Sequence, residues 1–335
     1  MNRNIEIDTL RGIACLLLIV NHLIGAPLIA GLKLEEGNGF YYFNVLLENI
    51  RMPLFSFLGG YVFSMRGISE GSELKVLKGK FIRLYSPLIF VGIPYLIIKM
   101  YSGLANSAID INENYSGGVL YFLSILYESK AHFWFLQSML LIFLFLCLAS
   151  MFKFNVDKFL KELIVIFILM SFVVPADILF FSFSGFVYLM PFFLFGMFIC
   201  TKPSVNVAIG RLSAVAIVLF LLLCIKFIYI NDDVTDRISI LSYLISFIGL
   251  WFIFSLKMKV DFMAIIGGYS YTIYLYHIFV ISFSRQVLKH FGVENVFVYI
   301  IVSLMCCVVF SKLFDDFCSR SGLLSWPLLG KKPVA

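Results

Sequence analysis

The sequence predicts an all-α, polytopic membrane helix bundle of about ten transmembrane helices, with both termini in the cytoplasm. Three observations support this fold class. Apolar residues make up 61% of the 335-residue chain and charged residues only 14%, whereas a soluble domain is about 45–50% apolar and about 25% charged. Apolar stretches of bilayer-spanning length recur along the chain, and basic residues gather between them. A soluble globule, a fibrous repeat and a disordered chain are therefore excluded.

The predicted spans follow from the length of the apolar stretches. A helix that crosses a bilayer needs about 20 mostly apolar residues. The apolar segment 117–127 is too short to cross, which favours a helix at the membrane interface. The stretches that we interpret as spans are 10–30, 45–65, 84–101, 132–152, 162–175, 178–200, 207–229, 238–256, 262–283 and 296–314.

Ten spans place both termini on one side of the membrane. Most of the 26 Lys and Arg residues fall in segments on that side, and basic segments stay in the cytoplasm. The same spreading of charge argues against nucleic acid as a partner, although the formal net charge is +6. We predict a single membrane domain over residues 1–335, with its spans within 10–314 and no fused extracytoplasmic domain.

The seven cysteines predict neither a metal site nor a redox site. Most lie in apolar runs, where a free cysteine behaves as a small hydrophobic residue, and no Cys-x-x-Cys pair occurs. We therefore predict no bound metal. Ionisable side chains inside a span are costly and often functional, so they are where chemistry is expected.

The first predicted span carries Arg11 and His22, eleven residues apart. At about 100° per residue, the two side chains project from the same helix face, in directions that differ by about 20°. They lie about 16 Å apart along the helix axis. Asp8 falls near the same face, one turn from Arg11. The face thus runs from a cation at the cytoplasmic end to an imidazole within the membrane. A snorkelling arginine and a histidine that hydrogen-bonds across the bundle explain the pair equally well.

Two further pairs suggest an ion pair and an anion site. Glu48 and Arg51, three residues apart in the second span, can pair on one helix face. Lys80 and Arg83 also share a face, in the basic loop before Pro87, where we expect the next helix to start. Positive-inside topology explains such a loop without a ligand. A phosphate-bearing ligand would nevertheless need this pair, since guanidinium groups bind phosphate in a bidentate manner.

The ninth predicted span presents polar side chains over about three turns. Ser270, Tyr271, Tyr274 and His277 recur at helical spacing. A lone histidine would be a packing residue, whereas this group favours a site. The segment HFWF, which contains Trp134, begins the fourth span on the outer side.

Taken in order, these residues resemble the acyltransferase-3 family of bacterial membrane acyltransferases, over about residues 7–314. Arg11 and His22 match the family's Arg-x10-His signature, and Lys80 and Arg83 match its basic-x-x-Arg motif. Weaker matches are MPLFSFLGGYVF, HFWFLQSMLLIF with Trp134, YLMPFFLFGMF with Pro191 and Gly196, and GYSYTIYLYH with His277.

Two positions depart from the family pattern. Lys80 stands where the family usually has Arg, which keeps the charge but loses the fork-shaped hydrogen-bonding geometry. Gly59 stands where the family usually has Ser, so no role is carried over to it. Together with Gly60 it lets a neighbouring backbone or a ligand come close.

The resemblance implies an integral-membrane O-acyltransferase of the bacterial cytoplasmic (inner) membrane. Such enzymes move an acyl group, commonly acetyl, from cytoplasmic acyl-CoA to a hydroxyl of O-antigen, exopolysaccharide, peptidoglycan or a lipid-linked sugar. Acetyl-CoA is then the expected donor substrate, and the expected partners are the carbohydrate acceptor, membrane lipid and polysaccharide-assembly proteins. A transporter or flippase of lipid-linked saccharide also fits ten spans, but no half-to-half correspondence of broken helices is visible. A non-catalytic scaffold would leave the basic motifs and the imidazole without a role.

The residues and the resemblance together give a hypothesis for the site. Arg11, Lys80 and Arg83 hold the CoA phosphates. His22 and Glu48 are the catalytic candidates: His22 acts as general base on the hydroxyl or briefly accepts the acyl group, and Glu48 orients His22 or pairs with Arg51. The side chains expected to bind substrate or to support the site are Arg51, Trp134, Ser270, Tyr271, Tyr274 and His277.

Overall fold

The part of the chain that the computed structural model describes is helical and has no strand. These residues also contain one isolated antiparallel β-bridge, between Glu128 and Phe180. The all-α class is therefore confirmed. The described residues are 4–25, 31–32, 38–69, 71–101, 119–201, 209–229 and 237–331.

The α-helices vary widely in length, and short turns of other helix types connect some of them. A π-helical turn (Leu88–Gly92) joins α4 to α5, and 3-10 turns (Ala131–Phe133 and Val156–Phe159) precede α7 and α8. The α-helices are α1 (Ile5–Ile24), α2 (Gly39–Leu46), α3 (Glu48–Arg66), α4 (Glu73–Pro87), α5 (Ile93–Tyr101), α6 (Val119–Leu123), α7 (Trp134–Met151), α8 (Leu160–Val173), α9 (Phe183–Thr201), α10 (Ile209–Ile228), α11 (Ile240–Ser255), α12 (Asp261–Gly268), α13 (Ser270–His290), α14 (Val296–Arg320) and α15 (Ser325–Leu329).

Helix α1 is continuous over 20 residues. Asn4 caps it, because its side-chain oxygen accepts hydrogen bonds from two backbone N–H groups of the first turn. Gly12 packs directly on the backbone of Met263 in α12, an approach that a Cβ would block. The unbroken helix carries both Arg11 and His22, as the spacing predicts.

Helices α3 and α9 pack against each other at the centre of the bundle. The backbone at Gly60 contacts the backbone at Phe193, and Gly196 contacts the backbone at Phe57 in the same way. The hydroxyl of Ser56 donates a hydrogen bond of 2.9 Å to a carbonyl oxygen of α9. Small residues at the crossing let two helices approach closely. The predicted close approach in the second span is therefore confirmed at Gly60.

The predicted ninth span, 262–283, is wrong as a continuous helix. Helices α12 and α13 meet at Tyr269, and their axes differ by 78°. Two features explain the break. Consecutive glycines, Gly267 and Gly268, are poor helix formers. In addition, Gly267 packs directly on the backbone of Asp8, which keeps α12 against α1 while α13 continues in a different direction.

Lys80 and Arg83 lie on α4, so the expectation of a loop over 66–83, followed by a helix that starts at Pro87, is wrong. The helix begins at Glu73 and passes Pro87 into the π-helical turn. Proline has no N–H and its ring crowds the preceding turn, and a wider π-helical turn accommodates such a mismatch. Residues Glu73–Lys99 consequently form one long apolar helix instead of the shorter predicted span 84–101.

Each of the ten predicted stretches contains helix in its described part, while residues 26–30 and 207–208 lie outside it. Shorter apolar helices include Ser213–Ile228, the part of α10 whose side chains are described, and Ile240–Ser255, which is α11. The structure thus has the helices of a polytopic membrane protein, and ten spans with cytoplasmic termini stay predictions. Within the described ranges, five helices are long and apolar enough to cross a membrane, or six with the bent pair α12–α13: Ile5–Ile24, Glu73–Lys99, Ala131–Met151, Phe183–Thr201 and Val296–Arg320.

Candidate active site

Helix α1 connects two groups of side chains that lie about 16 Å apart along its axis. Arg11 lies toward its first residue, where it pairs with Asp8 at 3.3 Å. His22 lies in its last turn. We call the group around Arg11 the cationic cluster (Arg11, Arg66, Lys80 and Arg83) and the group around His22 the histidine cluster (His22, His132 and His277).

The histidine cluster joins residues from three distant parts of the sequence. The ring centroid of His22 lies 4.9 Å from that of His277 and 6.5 Å from that of His132, and the last two are 5.1 Å apart. His132 and His277 are buried, at 4% and 0% exposure, and His22 is partly exposed. Within the described residues, no set of three or more His, Cys, Asp or Glu side chains is arranged to hold a metal ion. The structure thus brings the predicted residues His22 and His277 together.

The backbone fixes the tautomer of His277. Its Nδ1 lies 2.8 Å from the carbonyl oxygen of Tyr274 and 3.0 Å from that of Ile273. Carbonyl oxygens only accept hydrogen bonds, so Nδ1 carries the hydrogen and Nε2 of the neutral ring is an acceptor. Nε2 is buried and has no hydrogen-bond partner among the described residues. An unpaired acceptor therefore lies beside His22, where it can orient that ring.

His132 is a member of the cluster to which the sequence reasoning assigned no role. Both of its ring nitrogens are buried without a hydrogen bond of normal geometry within the described residues. Its carbonyl oxygen accepts a hydrogen bond from the hydroxyl of Tyr274, and its ring packs edge-on against Tyr95 at 5.5 Å. Tyr274 therefore holds the backbone of His132 in place. Unpaired buried nitrogens are uncommon and point to function, but they are visible only in the folded chain.

The cationic cluster surrounds Arg11. Arg11 and Lys80 each lie within electrostatic range of Arg66 and Arg83. Arg66 and Arg83 are exposed, and the other two are partly exposed, so an anion can reach all four. Among the ion pairs of the described residues, the one with Asp8 is the only one that a member of the cluster makes. Four cations against one carboxylate attract an anion.

Tyr271 contacts Arg83 of the cationic cluster and lies away from the histidine cluster. Its hydroxyl donates a hydrogen bond of 2.5 Å to the carbonyl oxygen of Arg83, and the guanidinium of Arg83 lies 5.3 Å from its ring centre. This carbonyl lacks the usual helical donor, because Pro87, four residues later, has no N–H. The Lys80 ammonium lies 3.9 Å from the ring centre of Phe143. Both basic residues of the predicted motif are thus held by aromatic rings.

Arg51 is buried within electrostatic range of His22. It donates hydrogen bonds to the carbonyl oxygen of Asn44, at 2.9 Å, and to the side-chain oxygen of the same residue. Glu48 is exposed and lies within electrostatic range of Arg51, but the considered direct ion pair is not formed, because α2 supplies Asn44 as the hydrogen-bond partner. In the described part of the chain, no hydrogen bond or ion pair joins Glu48 to His22.

Trp134 lies in the first turn of α7, beside two residues that the sequence reasoning missed. The guanidinium carbon of Arg237 lies 5.8 Å from the ring centre of Trp134 and 5.4 Å from that of Tyr188. Tyr188 also lies within electrostatic range of Arg51. Aromatic faces with a few charged groups around them are typical of ligand sites. Trp134 and Arg237 are partly exposed, whereas Tyr188 and Arg51 are buried, so these residues form a partly buried group near the histidine cluster.

Ser270 takes no part in the histidine cluster. It is the first residue of α13, and its carbonyl oxygen accepts a weak hydrogen bond from Cys15 at 3.8 Å. His277 lies seven residues later, about 10 Å along the helix. The predicted polar face of this helix is therefore divided between the two clusters.

A family model described as "Acyltransferase domain" matches residues 4–312, which include every member of both clusters. The chain belongs to the acyltransferase-3 family. It is therefore an acyltransferase, and membership favours the enzyme over the transporter and the scaffold. No curated protein and no solved structure matches the chain. An acyltransferase-3 enzyme needs an acyl donor and an acceptor, and the two clusters are the candidate sites for the donor and for the reaction.

Proposed function

We propose that the protein transfers an acyl group, acetyl in the first instance, from cytoplasmic acyl-CoA to a hydroxyl of a cell-surface polysaccharide or of its lipid-linked precursor. One observation carries this proposal: a single unbroken helix joins an anion-attracting cluster to a cluster of imidazoles. Such an arrangement suits a donor whose phosphates lie far from its reacting thioester, which is the chemistry of CoA.

The phosphates of acyl-CoA bind at the cationic cluster. The guanidinium groups of Arg11, Arg66 and Arg83 form bidentate hydrogen bonds to phosphate oxygens, and Lys80 adds a compact charge. The pantetheine arm then follows α1 toward His22. Since Arg66 and Arg83 of the cluster are exposed, the donor enters from the solvent on that side.

The transfer occurs at the histidine cluster. His22 acts as general base: it takes the proton of the acceptor hydroxyl while the oxygen bonds to the thioester carbonyl carbon. The carbon–sulfur bond then breaks, and the CoA thiolate leaves with the proton that His22 returns. His277 lies with its ring centroid 4.9 Å from that of His22 and with Nε2 unpaired; when substrate binds, we expect the His22 ring to turn so that one of its nitrogens donates to this Nε2 and the other acts as the base. His277 takes this orienting role instead of Glu48, which is exposed.

The acceptor saccharide binds beside the histidine cluster. Trp134 supplies a partly exposed aromatic face, and Arg237 supplies a partly exposed guanidinium for hydroxyl or acidic groups. Tyr188 and Arg51 are buried and support them, because Tyr188 lies against Arg237 and within electrostatic range of Arg51. Most basic segments lie on the side of the cationic cluster, so that side faces the cytoplasm. The acceptor site then faces outward across a bacterial cytoplasmic membrane that the chain spans about ten times. Polysaccharide-assembly proteins that deliver the acceptor would meet the enzyme there.

Purified protein in lipid nanodiscs tests the proposal directly. We expect label from radioactive acetyl-CoA to enter surface glycan, with one free CoA released for each acetyl group transferred. Mass spectrometry of surface glycans from cells with and without the protein would then identify the acyl group and the sugar position. Absence of labelled glycan, together with identical glycans from the two kinds of cell, would refute a polysaccharide acceptor.

Arg83→Ala is expected to weaken acetyl-CoA binding by about tenfold or more, because hydrogen bonds between charged groups are worth about 1.5–3 kcal/mol. Isothermal titration of nanodisc samples at fixed salt measures this. Lys78→Ala is the matched control: it removes one exposed cation from the same helix, about 200° around the axis from Lys80. Equal affinities of the two variants would contradict the assignment of phosphates to this cluster.

A further inference from the structure

The segment after α14 packs next to the cationic cluster, although the family match ends at residue 312. Two hydrogen bonds dock α15 on neighbouring helices. The hydroxyl of Ser86 in α4 donates to the carbonyl oxygen of Trp326 at 3.2 Å, and the hydroxyl of Tyr276 in α13 donates to that of Leu328 at 3.1 Å. The segment therefore bridges the helix that carries Arg83 and the helix that carries Tyr271.

A buried carboxylate anchors the end of this segment. The ammonium of Lys331 donates to the two carboxylate oxygens of Asp315, at 2.7 and 2.5 Å. The hydroxyls of Thr272 and Ser319 donate to the same carboxylate, at 2.5 and 3.2 Å. Asp315 is 5% exposed and Thr272 is fully buried. If Lys331 moved away, the buried carboxylate of Asp315 would be left without a compensating charge, which is costly. Lys331 is therefore held firmly in this position.

Gly330, the residue before Lys331, lies directly against the backbone of Arg83. Its φ of +57° is in the left-handed region, and a Cβ there would meet the carbonyl oxygen and Cα of Arg83. The same carbonyl oxygen accepts the hydrogen bond of Tyr271. Since Pro87 supplies no N–H to this carbonyl, the backbone of Arg83 depends on two tertiary contacts, Tyr271 and Gly330.

We propose that the Asp315–Lys331 ion pair positions Arg83 for binding the phosphates of the acyl donor. The pair fixes Gly330 against the α4 backbone, and α4 in turn holds the Arg83 guanidinium beside Tyr271 in the cationic cluster. This inference rests on the proposed function, because it assigns the donor phosphates to that cluster. Asp315 and Lys331 touch no substrate and act through Arg83, so they are positioning residues.

Lys331→Met tests the proposal, since it removes the ammonium and keeps the length of the side chain. We expect KM for acetyl-CoA to rise about threefold to tenfold, and kcat to stay within about twofold, because the chemistry at His22 is unchanged. Lys331→Arg keeps the charge and is expected to restore most of the affinity. Lys259→Met is the control, because it breaks a more exposed ion pair with Glu6, at 3.3 Å. A lower kcat with unchanged KM, or an equal rise in the control, would overturn the proposal.

A second measurement does not depend on activity. Hydrogen–deuterium exchange of the peptide around Arg83 is expected to be about threefold faster in Lys331→Met than in the wild type, and unchanged in Lys259→Met. Unchanged exchange around Arg83 in Lys331→Met would overturn the positioning role. If the wild-type protein shows no transfer from acetyl-CoA, the proposed function fails, while the exchange experiment still decides whether Lys331 positions Arg83.

Discussion

His22→Ala is expected to leave a folded protein whose rate of acetyl transfer falls by at least about 100-fold, the usual contribution of a general base. The substitution removes the imidazole whose ring centroid lies 4.9 Å from that of His277 and that lies on the same helix as Arg11. Because His22 is partly exposed, its loss creates little buried cavity. Single-turnover transfer by the purified variant measures the effect.

The fourth histidine of the chain provides the control for this prediction. His290 is exposed at the end of α13 and belongs to neither cluster, so His290→Ala should transfer acetyl at the wild-type rate. Acetyl-CoA binding should be the same in both variants, since the cationic cluster is intact in each. Normal acetate content in the glycan of cells that carry only the His22→Ala protein would remove His22 from the mechanism.

Gly60→Ala is expected to destabilise the protein by about 3 kcal/mol, the upper range for overpacking a tight contact. A Cβ at this position would overlap the backbone of Phe193, which can move only if α9 moves. This cost outweighs the gain of about 1 kcal/mol that alanine brings to a helix interior. Thermal or denaturant unfolding in nanodiscs measures the difference.

Gly59→Ala is the matched control, one residue away on the same helix. Its Cβ would lie 3.2 Å from the terminal methyl of Met139 and 3.4 Å from the ring of Phe193, both side-chain atoms. A flexible methionine yields easily, so the helix propensity of alanine should leave the stability unchanged or slightly higher. Equal destabilisation by the two substitutions would show that the crossing of α3 and α9 is not set by backbone contact at Gly60.

Local rules predicted the features that depend on one helix. The composition gave the helical class, and the spacing of Arg11 and His22 gave their common face, because α1 is uninterrupted and each residue adds a fixed rotation. The Asp8–Arg11 contact follows from the same geometry. Family membership was recognisable from these residues for the same reason: its signature lies within one helix.

Contacts between segments that are distant in the sequence could not be predicted from the spacing of neighbouring residues. His132 approaches His22 and His277 only because the 3-10 turn before α7 converges with α1 and α13, and nothing in its neighbouring residues distinguishes it from a packing histidine. Arg51 had an obvious partner in Glu48, three residues before it. The fold supplied Asn44 from the preceding helix instead, because tertiary packing overrode the local spacing.

The periodicity of apolar residues also does not show where a helix breaks within an apolar run. The run around Tyr269 is apolar on both sides of the 78° bend, so hydropathy alone shows one span. Conversely, Pro87 looks like a helix start but lies within a continuous run, where a π-helical turn accommodates it. Both errors arise because glycine and proline only favour a break in a helix, and the packing of neighbouring helices decides whether the break occurs.

Because α1 is continuous, the relative position of Arg11 and His22 depends on how many residues separate them. It depends much less on which apolar residues these are. Inserting a single residue in this interval would turn His22 by about 100° and move it by about 1.5 Å relative to Arg11. Its ring would then leave His277, while the donor phosphates would remain bound in the cationic cluster. Insertions and deletions in this interval should therefore uncouple donor binding from transfer, whereas most apolar replacements there should preserve both.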